Sequence, residues 1–108
     1  MQESLYQNSL AERYMVIYVI DMFKINNFVQ FYMHQYPEIK IHCSFDPYNY
    51  IVKWDFYAQS FNRYETYAGS CVAYDTEHVL KKLNDAFLYF LSTDGVKVIL
   101  CKRRLEKL

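Results

Sequence analysis

Tyr50-Ile51-Val52-Lys53-Trp54-Asp55-Phe56-Tyr57-Ala58 is the stretch on which the fold turns. Tyr50, Val52, Trp54, Phe56 and Ala58 alternate with Lys53, Asp55 and Gln59, the period of a half-buried β-strand. It holds the only Trp of the chain, so its apolar side anchors the core.

Upstream, Asp46-Pro47-Tyr48-Asn49 has turn chemistry, with Asp at the first position and Pro preset for the second. Before it, Ile39, Ile41, Cys43 and Phe45 alternate with Lys40, His42 and Ser44, which predicts a strand over 39–45. Setting Phe45 opposite Tyr50 brings Ile41 to Trp54 and Cys43 to Val52, and pairs Lys40 with Asp55 on the other side. Downstream, a turn near Ser60-Phe61-Asn62-Arg63 sets Gln59 opposite Tyr64. Tyr67 then faces Phe56, Gly69 faces Trp54 and Cys71 faces Val52, so that the indole covers a bare glycine. This third strand is predicted over about Tyr64–Tyr74.

Helices are expected on both sides of the strands. Residues 4–36 lack Gly and Pro. Ser9 and Glu12 match a capping box. Met22, Ile25, Val29, Tyr32 and Tyr36 follow at helical spacing, with Phe28 and Met33 alongside, until Pro37 stops the helix. The β-branched and aromatic run 14–20 fits either a continuation of that helix, with a break at Asn26-Asn27, or a separate strand before a shorter helix over 22–36. The helix is favoured. After Asp75 or Thr76 as cap, Val79, Leu80, Leu83, Ala86, Phe87, Phe90 and Leu91 form one apolar stripe, with Lys81, Lys82, Asn84 and Asp85 opposite. Gly95 is expected just past the helix end, then a short strand at Val96–Cys101 leading into a basic tail. The predicted class is α+β: an antiparallel three-stranded sheet plus a short C-terminal strand, with two helices packed on one face. Residues 1–108 form a single domain, of which 98–108 are the basic strand and tail.

With 53% hydrophobic residues the chain can bury one core and does not read as disordered. Phe, Tyr, Ile, Asn and Lys, which have A/T-rich codons, far outnumber Gly, Ala, Arg and Pro, as in AT-rich genomes of bacteria, phages and mobile elements. Lys97, Lys102, Arg103, Arg104 and Lys107 against Glu106 leave the last twelve residues at net +4 in a neutral chain, so the body is acidic. Three cysteines, Cys43, Cys71 and Cys101, and an opening Met1-Gln2-Glu3-Ser4 without a signal peptide point to free thiols in a reducing cytoplasm, the host's if the source is a phage or virus. The apolar run at 14–20 is too short to span a membrane.

Chemistry-bearing constellations are scarce. His42 and Cys43 are adjacent on a strand and point to opposite faces, and no C-x-x-C or H-x-x-x-H occurs, so no metal or other cofactor is expected. Cys71 falls on the apolar side, away from an activating His78. Two isolated glycines cannot build a phosphate loop. The chain is therefore not expected to be an enzyme. The order helix–three strands–helix resembles a double-stranded RNA-binding domain in topology. Such a domain grips phosphate with a basic patch where its second helix starts, and Asp75-Thr76-Glu77 here is acidic, so no function follows.

What remains is surface. With the helices on the Trp54 side, Lys53, Asp55, Tyr57, Tyr64 and Thr66 face outward, and Tyr48 and Phe61 sit at loop tips. Tyr suits interfaces, offering a large apolar body and one hydroxyl. The expected function is a small intracellular binding protein acting by protein–protein contact, such as a phage or mobile-element inhibitor. It is similar in kind to anti-CRISPR and toxin-immunity proteins in size and composition. The tail residues Lys102, Arg103, Arg104 and Lys107 are expected to dock electrostatically on an acidic surface, of a protein partner or of a second copy in a homodimer. The alternative is a nucleic-acid-binding module that uses that tail.

Overall fold

A computed structural model describes residues 20–61 and 63–106, the last five without their side chains. The elements run α1 (Met22–Gln35), β1 (Ile39–Asp46), β2 (Ile51–Ser60), β3 (Arg63–Val72), α2 (Thr76–Ser92) and α3 (Asp94–Glu106). The strands form one antiparallel sheet in the order β1-β2-β3. The protein is α+β: among the described residues there are three helices and three strands, and no fourth strand.

The α1 helix starts later than the favoured continuous helix. Asp21 is its N-cap, and its side chain accepts the Lys24 N–H at 3.0 Å, so Ile20 and Asp21 lie outside the helix. Asn26 and Asn27 do not interrupt it. Ile25 and Val29 are buried, and the helix ends at Tyr36, before Pro37, with Tyr36 at φ −127°. The Ser9–Glu12 capping box and residues 14–19 lie outside the described residues.

The β2–β3 register is as expected: Trp54 opposite Gly69, Phe56 opposite Tyr67, Val52 opposite Cys71. The β1–β2 register differs. Phe45 pairs with Val52, Cys43 with Trp54 and Ile41 with Phe56; Lys40 faces Tyr57, and His42 faces Asp55. The cause is the turn. Asp46 stays in the ladder opposite Ile51 while its carboxylate accepts the Tyr48 and Asn49 N–H groups at 2.9 and 3.3 Å and the Asn49 side-chain amide at 2.8 Å. These bonds hold the Asp46 carboxyl below its ordinary range, the Asn49 amide contributing most. Tyr50 takes a left-handed conformation, φ 53°, outside the extended region of a strand. Phe45 and Tyr50 still meet, as rings 6.0 Å apart. The slide spans two residues, so every apolar side chain keeps its face.

In α2, Asp75 is the cap and accepts the His78 N–H at 2.7 Å. Val79, Leu83, Phe87 and Phe90 are its buried stripe. Asn84 is not on the solvent side with Lys81 and Asp85; it is half-buried and accepts the Tyr32 hydroxyl. Asp75→Ala should cost about 1 kcal/mol of stability, the usual value of a lost cap, read as a lowered urea midpoint; Asp75→Asn should retain most of it.

The predicted strand at Val96–Cys101 is a helix instead. Val96 and Ile99 are fully buried, Leu100 is half-buried, and Lys97, Val98 and Cys101 are exposed, which is the spacing of a helical stripe. Extended Thr93 separates α3 from α2, and its carbonyl accepts the Lys97 N–H at 3.0 Å. Gly95 is not left-handed. It lies inside α3 at a point where a Cβ would collide with the Glu65 carboxyl group.

One cluster joins these elements. Phe56 meets Phe87 and Phe90 at 5.5 Å each, and Tyr32 meets Phe87 at 4.4 Å. Trp54 is 5% exposed, and its indole Nε1 lies 2.6 Å from where a Gly69 Cβ would stand.

Candidate protein-binding face

Strand alternation turns Lys53, Asp55, Tyr57, Tyr64 and Thr66 to the side of the sheet opposite Trp54. Tyr57 stands across from Thr66 and lays its ring 5.6 Å from that of Tyr64, tilted 36°. Tyr64 is 62% exposed. Beside this pair, Tyr57 and Phe61 line a pocket of about 260 Å³ with Lys40, Gln59 and Ser60. Phe61 is 66% exposed at φ 51°, where a two-residue hairpin loop needs a left-handed residue. Ser60 is buried, and its hydroxyl has no hydrogen-bond partner among the described residues.

Lys53 and Asp55 sit further along the face. The small residues Ala68, Gly69 and Ser70 opposite them leave a shallow dent of about 280 Å³. Lys53 lies between Ser44 and Ser70, and Asp55 between His42 and Ala68. The charges on this face are mixed in sign, so it does not present a phosphate-gripping stripe.

Tyr48 does not join this group. It is 93% exposed in the β1–β2 turn, at the far end of a strand about 30 Å long. The same end of the sheet carries a patch the sequence did not disclose: Tyr50, Val72 and Tyr74, all exposed, with Ala73 around an almost wholly apolar hollow of about 320 Å³. Tyr74 meets the His78 ring edge-on at 5.1 Å. The available signal was Ile51 and Val72 on the outward side of the strands, two apolar residues where polar ones were expected.

The three cysteines are unpaired. Burial, then the neighbouring Cys71 and Asp55, push the Cys43 thiol up to about 11, and burial raises Cys71 as well. Both stay protonated near neutral pH, the form that is a poor nucleophile. Among the described residues no three His, Cys, Asp or Glu side chains converge on one point, and no helix is long and apolar enough to cross a membrane. Lys102, Arg103 and Arg104 fall within α3 rather than after a strand, and Lys107 lies outside the described residues. No family model, curated protein or solved structure matches the chain.

Proposed function

We propose that this chain is a binding protein that acts by protein–protein contact through the open side of its sheet, while the helices cover the Trp54 side. The observation that carries this reading is the ring pair of half-buried Tyr57 and exposed Tyr64 beside Phe61 and its pocket. It offers aromatic anchors with a recess next to them that Lys40 and Gln59 help line, and Thr66, Asp55 and Lys53 continue the same face as a polar surround, in the manner of an interface hot spot with a polar rim. Its small size and AT-rich composition support an inhibitor carried by a phage or mobile element. Its role would be to occupy a partner's surface.

The test is a pull-down from the native host with the wild-type chain and with Tyr57→Thr/Tyr64→Thr, which keeps strand propensity while removing both rings. The partner should be captured by the wild type and lost by the variant at an unchanged melting temperature. Equal capture by both would refute the reading. Retention of the wild type on a random-sequence DNA resin, abolished by deleting residues 102–108, would replace it with the nucleic-acid alternative.

A further inference from the structure

The two edges of the sheet are treated differently. On β1, the outward N–H of Ile39 donates to the Tyr36 carbonyl at 2.9 Å and that of Ile41 to the Met33 sulfur at 3.3 Å, so the end of α1 closes that edge over its first residues. On β3 the Ala73 N–H donates to the Tyr50 carbonyl, which continues the β2–β3 ladder and fixes its phase. Odd-numbered residues of β3 bond to β2, and the main chains of Tyr64, Thr66, Ala68 and Ser70 point outward. Among the described residues nothing bonds to them. The edge also lacks the usual protections. The strand has no Lys or Pro, and residues 66–74 carry no charge.

We propose that this β3 edge pairs with the same edge of a second copy, antiparallel about a two-fold axis at Ala68, which joins the two sheets into one. Centring on Ala68 gives the longest ladder the edge allows and keeps outward residues opposite outward residues. Thr66 then stands beside the partner's Ser70, a hydroxyl pair, and Tyr64 beside the partner's Val72, an aromatic with a β-branched residue. On the other face Tyr67 comes opposite the partner's Gly69. Glu65 meets the partner's Cys71 rather than its own counterpart, so no like charges oppose. A foreign strand would have to reproduce this uncharged match; a second copy carries it by symmetry.

The pairing is modest in size. An edge about 30 Å long and ~10 Å deep offers on the order of 300 Å² per copy, short of the ~800 Å² typical of a stable complex. The dimer should therefore fill as concentration rises.

Sedimentation equilibrium of the full chain over a wide concentration range is the test. The wild type should move from monomer to dimer mass. Ala68→Pro removes an outward N–H that the monomer does not use, and it should weaken association at least tenfold with an unchanged circular dichroism spectrum. Thr66→Lys, an edge charge, should do the same if the proline variant fails to fold. In a Cys101→Ser background, Ala68→Cys should give a covalent dimer on diamide oxidation, because directly opposite residues in such a pair lie ~5.5 Å apart. Thr66→Cys should not, since its two thiols would stand about 14 Å apart along the ladder. A monomer at every concentration, the result expected if the edge serves a foreign strand, overturns the proposal. A dimer untouched by both edge variants overturns it as well.

Discussion

Trp54→Ala should lower the unfolding free energy by about 3–5 kcal/mol, the usual cost of emptying a large aromatic site in a core. The indole is 5% exposed on the central strand, and its position is set by the glycine opposite. Gly69 is needed there for room, since its backbone is not left-handed. A Cβ on Gly69 would stand 2.6 Å from Nε1 and 2.9 Å from Cε2 of Trp54, and a buried ring on the middle strand cannot swing aside. Gly69→Ala should therefore destabilise by about 1–3 kcal/mol, as overpacking does. Nε1 has no hydrogen-bond partner among the described residues, so Trp54→Phe gives up no bond and should cost less than Trp54→Ala. Urea titrations followed by circular dichroism measure all three variants. Wild-type tryptophan emission at the fully hydrated wavelength, or a Gly69→Ala variant as stable as the parent, would remove Trp54 from the core and the register with it.

The same pair explains which parts of the fold were legible. A strand register can be read when one position demands a small partner. Gly69 opposite Trp54 is such a demand, and it agreed with the β2–β3 pairing that the turn near residues 60–63 set. Between β1 and β2 no position is so selective: Ile41, Cys43 and Phe45 pack acceptably in two frames of the same parity. The deciding fact was Tyr50 adopting a left-handed backbone without being Gly or Asn. The α3 segment failed for a different reason. Val96-Lys97-Val98 alternates like a strand over its few residues, and six-residue apolar runs carry too little period to separate strand from helix. Gly95 reinforced the error, because a glycine after a helix reads as its stop; here it makes room for Glu65, a contact across more than twenty residues of sequence. The outward face of the sheet was legible as a face, since alternation alone assigns Lys53, Asp55, Tyr57, Tyr64 and Thr66. Which of its aromatics cluster was not legible. That depends on strand length, which puts Tyr48 far from Phe61, and on the turn that gathers Tyr50, Val72 and Tyr74.

Phe87→Ala should cost about 3–5 kcal/mol, and the damage should spread unevenly. Phe87 is 1% exposed and meets three rings from two other parts of the chain: Phe56 of β2 edge-on at 5.5 Å, Tyr32 of α1 at 4.4 Å, and Tyr36, at the end of α1, at 5.8 Å. The sheet keeps its own ladder and the Phe56–Phe90 contact without it. The α1 helix depends on it more. Its other ties to α2 among the described residues include the Tyr32 hydroxyl donating to Asn84, the Asp21 N–H donating to the Thr76 hydroxyl at 3.0 Å, and an exposed Lys24–Glu77 ion pair, which contributes little in water. Burial holds the Tyr32 hydroxyl above its ordinary range, which keeps it protonated as the donor to Asn84. Native-state hydrogen exchange on Phe87→Leu, a milder change, should therefore show protection falling further in residues 22–35 than in β2. A double-mutant cycle of Phe87→Leu with Tyr32→Leu should give a coupling of about 0.5–1.5 kcal/mol, the range for a packed aromatic pair. A loss spread evenly over helix and sheet, with coupling near zero, would mean that α1 is held by something other than this ring.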